Sequence, residues 1–438
     1  MVDRRDLLKL GGTTLAVASI AQIPSLMAQT VAEGAKGMGP LTITKVEAYI
    51  VRTPKDQIPE EQITSMPPIG ATNEGVGLWK RLDLHSPSRF KKYTQLVFVK
   101  ITTNQGLVGW GEAHAPAAPR VHKTVITDLL APVLVGEDAR NVEVLWERMY
   151  STQRLRGYST GFFLESIAAV DLALWDLLGK YLNVPVYRLL GGKYRDEIPT
   201  YIWVRGDTPT AIKEDAAKAL ESGYTVLKMG LGGRPDTGRL DRVEAVSEVL
   251  KSKGQGQVIT DSLGAFKLYE AIKLGRELDQ MGNIGWWEDP LMPEDYQGYV
   301  ELSAALDTAI CKGEVLSNRF QMRDMAAAKA VDISNVDICR AGGISESKKM
   351  AMIADLYGLM WTPHVSTGSL LYMSASIHLG VATPNCLIME YQGQAAGPLG
   401  NVLAKEPLEF RPGFAKVPER PGLGVEFDER ELAKITIG

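Results

Sequence analysis

The stretch "LTITKVEAYIVRT" (residues 41–53) alternates apolar and polar side chains, the period of a strand with one buried face. Further on, "TQLVFVKITTNQGLVGWGEAHA" (94–115) predicts two more strands joined at Asn104-Gln105-Gly106, a hairpin with a glycine for the positive dihedral. Between them runs a polar segment from Pro54 to Lys92, rich in proline, glycine and charge, and a loop of that length inside a compact domain is usually functional. The period then changes. "VHKTVITDLLAPVLVG", "NVEVLWERMY" and "FLESIAAVDLALWDLLGKYL" are spaced as helices, with Ile167, Val170, Leu174 and Leu177 on one face, and Gly191-Gly192 closes the region. A small antiparallel sheet followed by helices is an α+β arrangement.

Beyond Glu197 short apolar runs alternate steadily with amphipathic helices. The expected strands are "TYIWVRG", "TVLKMGLG", "GQVITDS", "IGWWEDP", "TAICKGE", "SNVDICR", "LMWTPH" and "CLIMEY", separated by helical segments such as "AIKEDAAKALESG" and "ESKKMAMIADLYG". Eight strands with helices between them predict a parallel barrel rather than an open doubly wound sheet. No G-x-G-x-x-G follows a first strand, which argues against a dinucleotide fold. From Gly397 the chain reads as loop and is expected to return to the first domain.

Composition narrows the class without naming a chemistry. Of 438 residues, 45% are hydrophobic and 23% charged, with a net charge of -4. That is a globular protein with no basic stripe, so no nucleic-acid partner is expected. The first residues differ in kind. Arg4 and Arg5 precede a stretch from Leu7 to about Ala28 whose only charged residue is Lys9, and it ends on small residues. The stretch is diluted by Gly, Thr, Ser, Gln and Pro, short of the roughly 20 apolar residues a membrane span needs, so no stable anchor is expected. It resembles a twin-arginine export signal over residues 1–29, implying a periplasmic protein exported folded. Cys311, Cys339 and Cys386 each sit in an apolar run and are expected as buried thiols, not a disulfide framework.

Candidate chemistry collects at the strand ends. Lys228, Asp261, Glu288, Glu314, Asp337, His364 and Glu390 recur at intervals of 23 to 33 residues, one ionisable group per repeating unit. In a parallel barrel these ends share the active-site face. One acid at a strand end is commonly a helix cap or a solvated charge; seven in succession are not. Asp261, Glu288 and Glu314 from adjacent strands would repel one another without a cation. An all-oxygen set suits Mg²⁺, and no His or Cys cluster points to zinc. Asp337 and His364 end neighbouring strands, as an orienting carboxylate and a general base. Glu390 could donate if protonated, or otherwise polarise an oxygen opposite the metal.

Together "GLVGWGEAHA", "ESIAAVDLALWDLLGKYLNVPVYRLLGG", "WWEDPLMPED", "KGE", "DICRAGGISESKKMAMIADLYGLMWTPH" and "MEY" resemble the mandelate racemase-like group of the enolase superfamily. The resemblance implies an α/β fold, a (β/α)7β TIM-type barrel with an α+β capping domain built from both chain ends. The boundaries drawn are a leader at 1–29, a capping domain at 41–165, the barrel at 166–396 and a C-terminal segment at 397–438 packing on the capping domain. By position, the metal carboxylates fall on Asp261, Glu288 and Glu314, the Asp-His dyad on Asp337 and His364, and the oxyanion-side glutamate on Glu390. The shared step is removal of a proton α to a carboxylate, with Mg²⁺ stabilising the enediolate.

Two departures choose among reactions. The second strand of the group usually ends Lys-x-Lys, and here it reads Lys228, Met229, Gly230. Leu263 stands two residues after Asp261, where some acid-sugar dehydratases carry a histidine. His364 is then the one clear base, and one-base chemistry is expected: syn dehydration of a sugar acid to a 2-keto-3-deoxy acid, with Lys228 acting electrostatically, as in dehydratases resembling rhamnonate dehydratase. The alternatives are a cycloisomerase or lactonizing enzyme, an epimerase with a second base such as Tyr158, or a non-catalytic periplasmic sugar-acid binding protein. Candidate substrate contacts are Trp79, Lys80, Arg81, His85 and Arg89 in the long segment, and Arg156 and Tyr158 in "RLRGYSTG". The expected partner is a small carboxylate, and the resemblance implies a homo-oligomer, dimer or octamer.

Overall fold

The computed structural model describes residues 39–53, 95–114, 118–232, 239–254, 256–366, 368–393 and 399–437. The leader and the segment from Pro54 to Lys92 lie outside them. The period-two stretches form three strands, β1 (Ile43–Arg52), β2 (Gln95–Thr103) and β3 (Val108–Ala113), in an antiparallel sheet ordered β1-β2-β3. At the hairpin Gly106 takes φ 77° and donates its N–H to the Thr103 carbonyl at 3.0 Å.

Helices α1 (Pro119–Thr124), α2 (Val142–Ser151), α3 (Phe162–Leu182) and α4 (Val186–Leu189) follow. The single helix expected over 121–136 is interrupted: Val125–Leu130 is π-helical and Ala131–Val133 is a 3₁₀ turn. Pro132 lacks the N–H that a continued α-helix requires. Ile167, Val170, Leu174 and Leu177 on α3 are all fully buried. The helix approaches β3 so closely that a Cβ at Gly109 or Gly111 would collide with the carbonyls of Ala173 and Ala169, which explains glycines inside a strand. α3 runs unbroken across the boundary drawn at 165/166, and the first barrel strand begins at Glu197. Buried Asp176 accepts from Trp110 N at 3.0 Å, Lys180 Nζ at 2.6 Å and Leu423 N at 2.9 Å, joining α3, β3 and the C-terminal segment.

The barrel runs β4 (Glu197–Trp203), α5 (Pro209–Glu221), β5 (Val226–Gly230), α6 (Arg239–Ser252), β6 (Gln257–Asp261), α7 (Leu268–Met281), β7 (Ile284–Glu288) and α8 (Tyr296–Ala305). It continues through β8 (Ile310–Cys311), α9 (Arg319–Ala327), β9 (Ile333–Ser334), α10 (Ile344–Leu356), β10 (Met360–Trp361), α11 (Leu370–Val381) and β11 (Met389–Tyr391). Consecutive strands from β4 to β10 pair in parallel, β11 returns in parallel to β4, and a Trp361–Cys386 bridge links the last two units. This is the (β/α)7β barrel. Its interior is filled by Tyr201, Ile259, Trp286, Cys311, Ile333 and Ile388, with Tyr201 and Trp286 edge to face at 5.6 Å. All three cysteines are free and buried. No helix among the described residues is long and apolar enough to cross a membrane.

Two elements differ from expectation. The run "SNVDICR" is not a continuous strand: β9 ends at Ser334, Asp337 keeps an isolated parallel bridge to His364, and beyond it Asp337 Oδ1 accepts the N–H groups of Cys339 and Arg340 at 2.9 and 3.1 Å. That side chain supplies a turn in place of a ladder. The C-terminal segment is also not simple loop. It holds β12 (Phe410–Arg411), β13 (Phe414–Lys416) and α12 (Glu429–Ile435). β13 adds antiparallel to β4, while Phe427 stacks on Phe98 at 5.1 Å and Ile437 N donates to Ile50 O at 2.8 Å.

The close approach of β3 to α3 is directly testable. Gly111→Ala is expected to lower unfolding stability by ~1–3 kcal/mol through overpacking, read from the urea midpoint, whereas Gly136→Ala, where a Cβ meets nothing, carries only the strain of its positive φ of 91°. A larger loss at Gly136 than at Gly111 would contradict the packing account.

Candidate active site

Parallel register brings the strand ends level: Gly230 pairs with Asp261 and Asp261 with Glu288. Lys228, inside β5, is 0% exposed. Its Nζ lies 2.6 Å from Glu288 Oε1, 3.0 Å from Asp261 Oδ2 and 3.6 Å from Glu390 Oε1, and 4.9 Å above the Trp203 ring. An exposed strand-end lysine is thereby excluded. Burial pushes its pKa down, but the facing carboxylates outweigh that and hold it well above the ordinary value.

Across the mouth, His364 Nδ1 meets Asp337 Oδ2 at 2.8 Å, which fixes the proton on Nδ1 and turns Nε2 toward Glu314 Oε2 at 2.9 Å and Glu390 Oε2 at 3.5 Å. Burial lowers the His364 pKa, yet Glu314, Glu390 and Asp337 raise it well above normal. Glu390 is itself ionised. Burial raises its pKa, and Lys228, His364 and the Trp203 hydrogen bond bring it below the usual range. Its Oε1 accepts from Trp203 Nε1 at 2.6 Å and Gln392 Nε2 at 3.1 Å. Trp203, Gln392 and Val365 N all donate to Glu390, an arrangement that suits its role as an ionised group rather than a protonated donor.

Five carboxylates (Asp261, Glu288, Glu314, Asp337, Glu390) face three basic side chains (Lys228, His364, Arg340) among the described residues of this network. The adjacent pair Lys312–Asp289, 3.4 Å apart, cancels itself. The carboxylates outnumber the basic side chains, and a bound cation would relieve their mutual repulsion. Burial drives the pKa values of Asp261 and Glu288 up, against the pull of Lys228. Ligand atoms of Glu288, Glu314 and His364 lie within 4.8 Å of one another. Asp261 is not in that group, being held by Lys228 and by Leu263 N at 3.2 Å. The donor set thus fits a hard divalent ion, and Glu314 cannot give the same oxygen to a cation and to His364.

Residues distant in sequence complete the site. Tyr372 OH donates to Asp337 Oδ2 and accepts Ser366 N at 3.2 Å. Arg340 lies 3.4 Å from both Glu314 and Asp337. From the capping domain, Glu112 accepts the backbone N–H and hydroxyl of Ser369, the cap of α11. Burial raises the Glu112 pKa to about 7 against those hydrogen bonds. His114, just past β3, sets its ring edge-on to Tyr372 at 6.2 Å, and burial, then Arg340, lower its pKa to about 3. His114 had one visible signal, scarcity: the chain has 5 histidines. Arg156 and Tyr158 are exposed, Tyr158 at 60%, on a loop tethered to the barrel through Asn318 Nδ2 to Ser159 O at 2.9 Å. Trp79, Lys80, Arg81, His85 and Arg89 lie outside the described residues.

Residues 211–431 match the family described as enolase C-terminal domain-like, and residues 83–191 match the mandelate racemase / muconate lactonizing enzyme N-terminal domain. A D-galactonate dehydratase of Verminephrobacter eiseniae (strain EF01-2) is 32% identical over 346 residues, covering 76% of this chain and 89% of that protein. The 3,6-anhydro-D-galactonate cycloisomerase of Zobellia galactanivorans has a crystal structure similar at TM-score 0.75 and 30% identity, covering 91% of this chain and 100% of that one. A member of the enolase superfamily from Agrobacterium tumefaciens shares the fold at TM-score 0.80 and 24% identity, over 91% of this chain and 100% of that one.

Glu112 gives the site a measurable pH signature. The folded state keeps its proton up to about pH 7, well above the ordinary range of a glutamate carboxyl. Its stabilising contribution is present at low pH and lost as pH rises through that window. Urea unfolding at several pH values should show wild type losing up to ~3 kcal/mol relative to Glu112→Gln as pH is raised. A pH-independent difference would refute the buried, protonated carboxyl.

Proposed function

The chain belongs to the enolase superfamily, in its mandelate racemase-like group, and from that premise we propose that it dehydrates a sugar acid to a 2-keto-3-deoxy acid with His364 as the proton-transfer group. The carrying observation is the asymmetry of the site. One face holds an imidazole oriented by Asp337, and the position level with Asp261 on the other is Gly230, which has no side chain to act as a base.

Asp261, Glu288 and Glu314 would hold the divalent cation, Mg²⁺, whose part is Lewis-acid stabilisation of the substrate carboxylate. Lys228, with no exposed surface, adds a fixed positive charge where the enediolate develops negative charge. His364 Nε2 takes the α-proton. The C–H electron pair moves into the carboxylate to give the enediolate, which collapses to the Cα–Cβ double bond as the bond to the β-hydroxyl breaks, and the departing oxygen receives the proton from the same imidazole. Water leaves and the enol product tautomerises to the keto acid. Trp203, Gln392 and Val365 N, all donating to Glu390, keep that carboxylate fixed beside His364.

Cycloisomerisation is the second reading, favoured by the similarity to the Zobellia enzyme. Both begin with the same proton abstraction and differ in whether oxygen leaves as water or remains tied to the chain by a second carbon–oxygen bond. The leader reading extends the proposal to the periplasm, by export through the twin-arginine pathway.

A library of sugar acids incubated with the protein and Mg²⁺ should yield keto acid from at least one member. His364→Asn and Glu390→Gln should each cut turnover by at least ~10³-fold, and chelation should abolish it. Normal product formation by His364→Asn would sink the assignment. Ring-opened isomer without loss of water would establish the cycloisomerase instead. A reporter fused to residues 1–29 should reach the periplasm, and Arg4→Lys with Arg5→Lys should retain it in the cytoplasm.

A further inference from the structure

Gly230 has a second property. Its φ is outside the left-handed region, and a Cβ built on it would meet nothing within 4 Å. Neither backbone conformation nor crowding requires glycine there. What the missing side chain leaves is space. A cavity of about 350 Å³ opens at the carboxyl ends of β4, β5 and β11, lined by Trp203, Arg205, Asp207, Gly230, Arg242 and Gln392 among others, large enough for part of a small ligand.

This cavity shares walls with the reacting centre. The Trp203 ring lies 4.9 Å from Lys228 Nζ, and its indole N–H donates to Glu390 Oε1 at 2.6 Å. Gln392 donates to the same oxygen at 3.1 Å. The lining is polar and net positive, with two guanidiniums against one carboxylate. Arg242 Nε is buried with no hydrogen-bond partner among the described residues, and a buried donor left unpaired is costly. A planar carboxylate is the natural acceptor for guanidinium. Asp207 and Gln392 suit hydroxyls.

We propose that this cavity is a distal subsite for a second carboxylate, so that the substrate is a hydroxylated dicarboxylic acid with its reacting carboxylate beside His364 and the other at Arg242. A net charge of plus one in the lining matches a singly charged group. The proposal rests on the sugar-acid reading above and narrows it to the diacid class. It also gives Gly230 a positive role: a side chain there would stand between the two carboxylate sites.

The test is equilibrium binding by calorimetry with Mg²⁺ in the His364→Asn background, using paired aldonates and aldarates of galacto, gluco and manno configuration. At least one aldarate should bind ten or more times tighter than its aldonate. Arg242→Gln should bring that aldarate to the Kd of its aldonate without altering the latter, whose unchanged binding also reports an intact fold. Gly230→Leu should weaken the aldarate in the same way. If no aldarate outbinds its aldonate, or if Arg242→Gln weakens both equally, the subsite is wrong. An Arg242-dependent preference together with no wild-type turnover of any library member upholds the subsite and overturns the dehydratase reading.

Discussion

Keeping a lysine and several carboxylates ionised away from water is the constraint on which this structure turns. Lys228 has no exposed surface, and its charge persists because Glu288 and Asp261 lie within 3.0 Å. Removing one partner from such a network leaves an uncompensated charge that costs about 3–5 kcal/mol. Three of the carboxylates also receive directional hydrogen bonds: Trp203 to Glu390, Tyr372 and two backbone amides to Asp337, Leu263 N to Asp261. These bonds hold the charges at fixed places before any substrate arrives, so reorganisation contributes little to a barrier.

The capping domain takes part in that arrangement as well as covering it. Asp171 on α3 accepts Ser345 N at 3.0 Å, Trp175 donates to Ser345 Oγ at 2.9 Å, and Trp146 donates to Gly342 O at 2.6 Å, all at the start of α10, just past the Asp337 turn. Glu112 binds the cap of α11, whose Tyr372 reaches back to the same aspartate. The dyad is therefore clamped from both sides by the same two-domain contact, and its geometry depends on docking as much as on the barrel.

Much of this could be read from the sequence because barrels place function periodically. One ionisable group per βα unit identified Lys228, Asp261, Glu288, Glu314, Asp337, His364 and Glu390, and the strand period located the antiparallel sheet. What escaped is what depends on contacts between segments far apart. Glu112 and Ser369 are 257 residues apart, and nothing local marks Glu112 as more than a strand acid. Asp337 reads as the middle of a strand because its neighbours are apolar, but it keeps only a bridge to His364, and its side chain captures two amides that turn the chain away. The ion pair of His364 with Glu314 was hidden for a similar reason, since sequence shows which groups converge and not which of them touch.

The pairing of β4 carries a consequence of another kind. Residues 197–203 bond to β5, to β11 at 389–391 and to β13 at 414–416. During synthesis the second and third of these partners do not exist until nearly all of the chain has left the ribosome. Until then the sheet has two open edges, a template for wrong pairing and a slow, late closure. The site cannot form by stages either, because Glu390 arrives on the closing strand. Completion of the polypeptide, closure of the cylinder and assembly of the charge network are thus one event.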